Sequence, residues 1–193
     1  MKTYNQWLEN LKQQEKICCI IRGIPGSGKS SKIQSIFKKY GGDENHVFST
    51  DNFWIPHARA QKLAGNSVSH EDELAEYKGN WTPSKLGFAH QQNLENFKKA
   101  IMSGMTPIIV DNTNIVYKNF KDYEDIAKSN GYKVLIEEPD SPWWNKYRPY
   151  LKNKNDPNSK KNLDDFAEIL ANKNVHGVPL DTIKKMIANW QEL

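Results

Sequence analysis

Four short apolar runs recur along the chain, each followed by a turn and then by a stretch whose apolar residues return every three or four positions. Ile17-Cys18-Cys19-Ile20-Ile21 is apolar without a break, the pattern of a parallel strand covered on both faces. Val47-Phe48-Ser49 predicts a second strand ending at Thr50-Asp51, Pro107 to Val110 a third ending at Asp111, and Val134-Leu135-Ile136 a fourth closing at Glu137-Glu138-Pro139. Helices are expected over Ser30–Tyr40, stopped by Gly41-Gly42, and from Pro83 to Gly104, with Leu86, Phe88, Ala89, Leu94, Phe97 and Ile101 as the apolar face. Another is expected from Tyr117 to Ser129, capped by Asn130-Gly131, followed by two closing helices over Leu163–Ala171 and Leu180–Trp190. Tyr4, Trp7, Leu8 and Leu11 add an amphipathic helix within residues 1–15. Lys146 to Lys161 is rich in Lys, Asn and Pro and reads as a mobile loop inside a lid region spanning 142–176, whereas Phe53 to Asn80 has no assignable period. The alternation of strand and helix predicts a three-layer α/β fold, a parallel sheet flanked by helices, with ligands at the carboxyl ends of the strands.

At 193 residues the length suits one domain over 1–193. The longest apolar run, Ile17 to Ile21, is far short of the roughly 20 residues of a membrane span, and Met1-Lys2-Thr3 opens no signal-peptide pattern, so a soluble, cytoplasmic protein with no membrane partner is expected. A net charge of +4 favours phosphate-bearing partners. Of the 27 basic residues only Arg22, Arg59 and Arg148 are arginines, so any site that needs a guanidinium must draw on these. Cys18 and Cys19 are adjacent, would point to opposite faces of a strand, and are expected as inert packing. His57, His70, His90 and His176 share no metal spacing.

Gly23-Ile24-Pro25-Gly26-Ser27-Gly28-Lys29-Ser30 fits the phosphate-binding pattern G-x-x-x-x-G-K-[ST], with the required strand before it and helix after it. Glycines let successive backbone N–H groups curl into an anion nest, the helix points its positive end at the phosphates, and Lys29 reaches their outer oxygens. Gly23, Pro25, Gly26, Ser27, Gly28, Lys29, Ser30 and Ser31 are thus the expected nucleotide-binding residues, with Ser30 also on magnesium. Asn153-Lys154-Asn155-Asp156 resembles a guanine-specifying motif, but no strand precedes it, and chance meets this pattern easily in a chain so rich in Lys and Asn.

Phosphoryl transfer needs an oxygen nucleophile in line and a carboxylate to accept its proton. Asp51, at the end of the second strand, is the candidate base, its other reading being a helix cap. Asp111 ends the third strand in the manner of a magnesium-holding acid, and Asn112 follows it where motor ATPases place a water-activating glutamate, which leans toward transfer to a bound acceptor.

With these residues in view, the chain resembles the polynucleotide-kinase-like P-loop kinase domain, most nearly that of the Nedd-four-binding protein two family and more distantly phage polynucleotide 5′-kinase. The resemblance rests on Arg22 to Ser30, Ser49-Thr50-Asp51-Asn52, Pro83-Ser84-Lys85-Leu86-Gly87 with Ala89-His90, Ile109-Val110-Asp111-Asn112-Thr113-Asn114, and His176-Gly177-Val178-Pro179, in that order. It implies a kinase-type P-loop NTPase fold, ATP and Mg²⁺ as cofactors, and a nucleic acid with a free hydroxyl as partner and acceptor. Asp51 matches the family's general base and Asp111 its third-strand acid, and His176 falls in a nucleotide-facing turn. A lid carrying a basic residue is also implied. Where relatives read Leu-Ala-Arg-Arg-Asn, this chain has Leu170-Ala171-Asn172-Lys173-Asn174, so Lys173, as a point charge, or Arg148 is the expected catalytic cation. Trp54 stands where the phage enzyme has an arginine and suits stacking better than phosphate binding. The residues leave open a small-molecule or nucleoside kinase, a kinase of hydroxymethylated DNA bases, and an ATP-binding adaptor without turnover.

Lys29→Ala or Ser30→Ala is expected to remove phosphoryl transfer while leaving the fold intact, since both serve the triphosphate end in an otherwise backbone-built cradle. Near wild-type turnover in either variant contradicts this reading.

Overall fold

β1 (Ile17–Ile21) carries five buried residues in a row because it is the inner strand of a sheet ordered β2-β3-β1-β4. Its neighbours are β3 (Ile108–Asp111) and β4 (Lys133–Glu137), with β2 (Val47–Phe48) at the edge beyond β3, and every pairing is parallel. The computed structural model describes residues 15–193, so the helix expected over Tyr4–Gln13 lies outside the described residues. Register aligns Ile21 with both Asp111 and Glu137, and Phe48 with Val110. The turns after all four strands therefore open at one edge of the sheet, as the alternation predicts.

Cys18 and Cys19 are free, buried and on opposite faces: Cys18 packs with Phe97, Phe120 and Tyr123, Cys19 with Ile33, Ile36 and Ile109. Burial, with Glu137 adding to it, pushes the Cys19 thiol up to about 12, so it stays neutral. The Cys19 face is covered by α1 (Lys29–Tyr40), the Cys18 face by α4 (Leu86–Ser103) and α5 (Lys121–Ser129). Three layers result.

Two expectations are corrected. Segment 142–176 is mostly helix rather than lid loop: α6 (Pro142–Lys152) starts at the Ser141 cap, and after a short 3-10 turn α7 (Lys160–Lys173) begins. Trp144, Tyr147 and Leu151 return at helical spacing and are buried against Phe166 and Leu170 of α7 and Ile183 and Ile187 of α8 (Leu180–Asn189), a pattern hidden by the Lys and Asn between them. On α4 the buried stripe is Ala89, Asn93, Phe97, Ala100 and Ile101, whereas Leu86 and Phe88 are 40% and 61% exposed. The unassigned segment is a 3-10 turn (Thr50–Trp54), α2 (Pro56–Leu63) and α3 (His70–Asn80); α3 buries no residue, which is why it shows no apolar period. Among the described residues no helix is long and apolar enough to cross a membrane.

Arg22 follows β1 with its side chain 1% exposed. Its guanidinium donates to the carbonyls of Asn114 (3.0 Å), Ile115 (3.2 Å) and Gln191 (2.6 Å), lies 3.6 Å from Glu138, and sits 4.3 Å from the Trp190 ring centroid. Arg22→Met leaves the Asn114 and Gln191 carbonyls without donors, Ile115 O keeping the Gln191 N–H (2.9 Å), and is expected to cost about 3–5 kcal/mol, with Arg22→Lys between it and wild type. Urea unfolding reads this as a fall in midpoint at unchanged slope; a loss below about 1 kcal/mol removes Arg22 as the lock described here.

Candidate active site

The loop Gly23–Ser30 joins β1 to α1 and is held from outside. The Ser141 hydroxyl donates to the Ser27 carbonyl (2.8 Å) and the Trp143 indole N–H to the Gly26 carbonyl (3.0 Å), while the Gly23 N–H donates to Thr113 O (3.0 Å). Gly26 has φ +79°, and a Cβ there would stand 2.2 Å from the Leu170 carbonyl, so the end of α7 presses directly on the loop. Gly28, at φ +98°, opens α1 with no side-chain cap. The first-turn N–H groups of α1, including those of Lys29, Ser30 and Ser31, thus lack intrahelical acceptors. That is the chemistry of an anion seat.

Asp111 reaches the same edge. Its Oδ1 is buried without a hydrogen-bond partner, as are Ser27 Oγ and His176 Nδ1 among the described residues. Burial raises the Asp111 pKa, Lys29 opposing it and Asp51 adding to it. A buried carboxylate oxygen with no donor, next to a lysine and an uncapped helix start, suits a bound cation beside a bound anion. The residues present therefore fit a magnesium–triphosphate guest.

Asp51 sits in the first turn of the 3-10 segment, whose Ser49 hydroxyl accepts from the Asp51 N–H (3.3 Å). Asp51 Oδ1 accepts a hydrogen bond from the Tyr77 hydroxyl (3.2 Å). Burial, then Asp51, raises the Tyr77 pKa, so the phenol keeps its proton and donates. Thr50 is fixed from two sides: its N–H donates to Asn112 Oδ1 (3.0 Å) and its hydroxyl meets His90 Nδ1 at 3.0 Å. Burial lowers the His90 pKa, with Asp51 opposing. Tyr77 also lies against His176, ring centroids 4.8 Å apart.

One cleft of about 570 Å³ brings together Pro25, Gly26, Gly28, Lys29, Ser30 and Ser31 with Asp51, Asp111, Lys173 and His176. Gly23 and Ser27 underlie the loop: a Cβ on Gly23 would meet Ser27 Oγ at 2.6 Å. Lys173 ends α7 with its ammonium 4.1 Å from the Trp143 ring centroid, at the mouth of the cleft. Arg148 is not brought there. It is clamped by Glu138 (2.5 and 3.1 Å) and Glu192 (2.8 and 2.9 Å) and packs on Trp190, so this expected catalytic cation is a structural one. Trp54 is 1% exposed and cannot offer a stacking face. Lys154, expected on a phosphate-tracking loop, instead donates to the Ala188 and Trp190 carbonyls at the end of α8. Tyr77 and Trp143 are not among the expected site residues, and Asn112 is expected only as the residue in place of a water-activating glutamate. Asn112 had a signal in its place after the strand, but Tyr77 lies on a helix with no period to place it.

A sheet-edge phosphate loop with two facing carboxylates defines the class: a P-loop NTPase-type, kinase-like domain. The profile of a family described as "AAA domain" matches residues 19–190, and the chain belongs to that family. It is 27% identical over 175 residues to NEDD4-binding protein 2 of Homo sapiens, across 91% of this chain and 8% of that protein. It is 26% identical over 184 residues to YLP motif-containing protein 1 of Rattus norvegicus, across 92% of this chain and 11% of that protein. The chain therefore spans about a tenth of the length of these curated relatives. The first agrees with the family resemblance drawn from the motif blocks.

Gly26→Ala is expected to cost about 2–4 kcal/mol, from its left-handed backbone and its overlap with Leu170. Gly65→Ala, at φ +82° with open space around it, is the control and should cost about 1 kcal/mol. Equal losses in denaturant unfolding contradict the packing of α7 on the loop.

Proposed function

We propose that the protein is an ATP- and Mg²⁺-dependent kinase that phosphorylates a hydroxyl of a nucleic acid, most simply the 5′-OH end of DNA or RNA. The observation that carries this reading is a carboxylate, Asp51, oriented by Tyr77 in the same cleft as Lys29 and the uncapped start of α1. ATP would supply the phosphoryl group, and Ser30 and Asp111 would hold Mg²⁺, which would offset its charge.

The chain's own residues do the rest. The loop N–H groups and Lys29 bind the phosphates, and Lys173 adds a point charge where relatives carry arginine. Asp51 accepts the proton of the attacking hydroxyl as the new P–O bond forms and ADP leaves. With Oδ1 accepting from the Tyr77 hydroxyl, Oδ2 is the oxygen left to take the proton. Tyr77 is thus a positioning residue, and its contact with His176 ties the base to the turn after α7.

The direct test is transfer of a labelled γ-phosphate to 5′-OH DNA, 5′-OH RNA, hydroxymethylated DNA and free nucleosides. Transfer confined to nucleosides would overturn the polymer acceptor, and tight ATP binding without any transfer would leave an adaptor. Asp51→Asn is expected to lower turnover by about 10²–10⁴ with ATP affinity unchanged. Tyr77→Phe should lower kcat by about tenfold or less and leave the KM for ATP alone. If Asp51→Asn instead abolishes ATP binding, the residue serves the metal and the base lies elsewhere.

A further inference from the structure

Lys173 stands at the cleft mouth with its backbone fixed on both sides. A Cβ on Gly26 would lie 2.2 Å from the Leu170 carbonyl oxygen and 3.1 Å from the Asn174 nitrogen, so the chain around Lys173 is pressed against the phosphate loop. Asn174 Oδ1 accepts the N–H groups of His176 and Val178 (3.1 Å each), and its Nδ2 donates to the Val178 carbonyl (3.1 Å), which ties the turn that follows. The Lys173 side chain is exposed. Its ammonium makes no ion pair with a carboxylate among the described residues and lies over the Trp143 ring, 4.1 Å from the centroid. A lysine is a point charge on a flexible four-carbon stem, whereas the planar fork of an arginine is pre-organised. The ammonium therefore needs a holder if it is to act at a fixed place.

Trp143 is half-buried at the second position of α6, and the start of that helix is itself fixed. The Ser141 hydroxyl accepts the Trp144 N–H (3.1 Å) and donates to the Ser27 carbonyl (2.8 Å), with Trp144 fully buried behind it. Trp143 then reaches the loop twice. Its indole N–H donates to the Gly26 carbonyl (3.0 Å), and a Cβ on Gly28 would stand 3.7 Å from its Cζ2. One rigid side chain thus meets the loop through its edge and Lys173 through its face, and all four residues line the same cleft. A ring face attracts a cation without neutralising it. A carboxylate in this place would cancel the charge, as Glu138 and Glu192 do for Arg148. The aromatic contact leaves the ammonium positive, with N–H donors free for the oxygens of an anion.

We infer that Trp143 is a positioning residue: its ring holds the Lys173 ammonium in register with the phosphate loop and so supplies, by packing, the order that an arginine fork brings by itself. This rests on the nucleotide-binding part of the kinase reading above. The ring acts through Lys173, so its removal matters to a bound nucleotide only while that lysine is present.

The test is a cycle of Trp143→Phe and Trp143→Leu, each made with Lys173 in place and with Lys173→Met. Neither replacement has the indole N–H, so both lose the bond to Gly26 and they differ in the ring face. Calorimetry of the full chain with the magnesium complex of β,γ-imido-ATP should show Trp143→Phe binding about threefold or more tighter than Trp143→Leu when Lys173 is present, and no difference beside Lys173→Met. A ring with a merely structural role gives the same gap in both backgrounds; that result, or no gap in either, overturns the inference. Tighter binding by Trp143→Leu also overturns it, since the ring would then hold Lys173 away from the phosphates. Should Trp143→Leu fail to fold, tryptophans with one to four ring fluorines placed at this position weaken the attraction stepwise at nearly constant shape. Affinity should then fall with each fluorine beside Lys173 and stay flat beside Lys173→Met, and a flat series in both overturns the inference. The kinase reading is judged apart from this, by transfer of a labelled γ-phosphate. Absence of transfer with the cycle as expected sinks the kinase alone, transfer without any dependence on Lys173 sinks the positioning role alone, and failure of wild type to bind the nucleotide sinks both.

Discussion

The guanidinium of Arg22 holds the end of β1 to the loop after β3 and to the carboxyl-terminal segment, and the phosphate loop starts at the next residue. Around it the same junction is closed by the Asn114 amide on the Ile21 carbonyl (2.7 Å) and the Arg22 N–H on Glu137 O (2.8 Å). Asn114 takes φ 47° to make this contact. Buried polar groups of this kind are costly to separate from their partners. The placement of Lys29 relative to Asp111 therefore depends on this network, in which Asn114 Oδ1 has no partner among the described residues, and which Trp190 and Phe120 back against the guanidinium.

The two halves of the cleft are built differently. The nucleotide half rests on buried strands and on α7, whose end presses against Gly26. The other half is α2 and α3, docked by polar contacts: Glu76 takes the N–H groups of His57 and Ala58 (2.8 Å each), Lys62 pairs with Glu73, and Asn80 donates to the Trp54 carbonyl. With no buried residue on α3, this half has little apolar area to resist opening, the pattern of elements that open locally. Tyr77 is the point at which the weakly docked half touches Asp51.

Scarcity of arginine organises the electrostatics. Two of the three guanidiniums close the network around Glu138, and Lys173, stacked on Trp143, is left as the cation at the cleft mouth. A lysine there offers charge without a fixed fork, so the placement of an anion in the cleft depends more on the backbone loop than it would with arginine.

The sequence by itself determined the parts whose physics is local. Unbroken apolar runs became buried parallel strands, the glycine-rich turn between strand and helix became the phosphate loop, and Asp51 and Asp111 reached the cleft because strand ends in a parallel sheet share one edge. Only the tertiary structure decided what depends on partners distant in the chain. Arg148 and Lys173 look alike in sequence, and packing sends one to Glu138 and Glu192 and the other to the cleft. Trp54 is buried because Phe53 and Trp81 close over it. Tyr77 joins Asp51 across 26 residues from a helix without an apolar face, a contact made by one hydroxyl and one carboxylate that leaves no periodic trace. Lys146 to Lys161 read as loop by composition, yet became mostly helix because three buried side chains outweigh many solvated lysines.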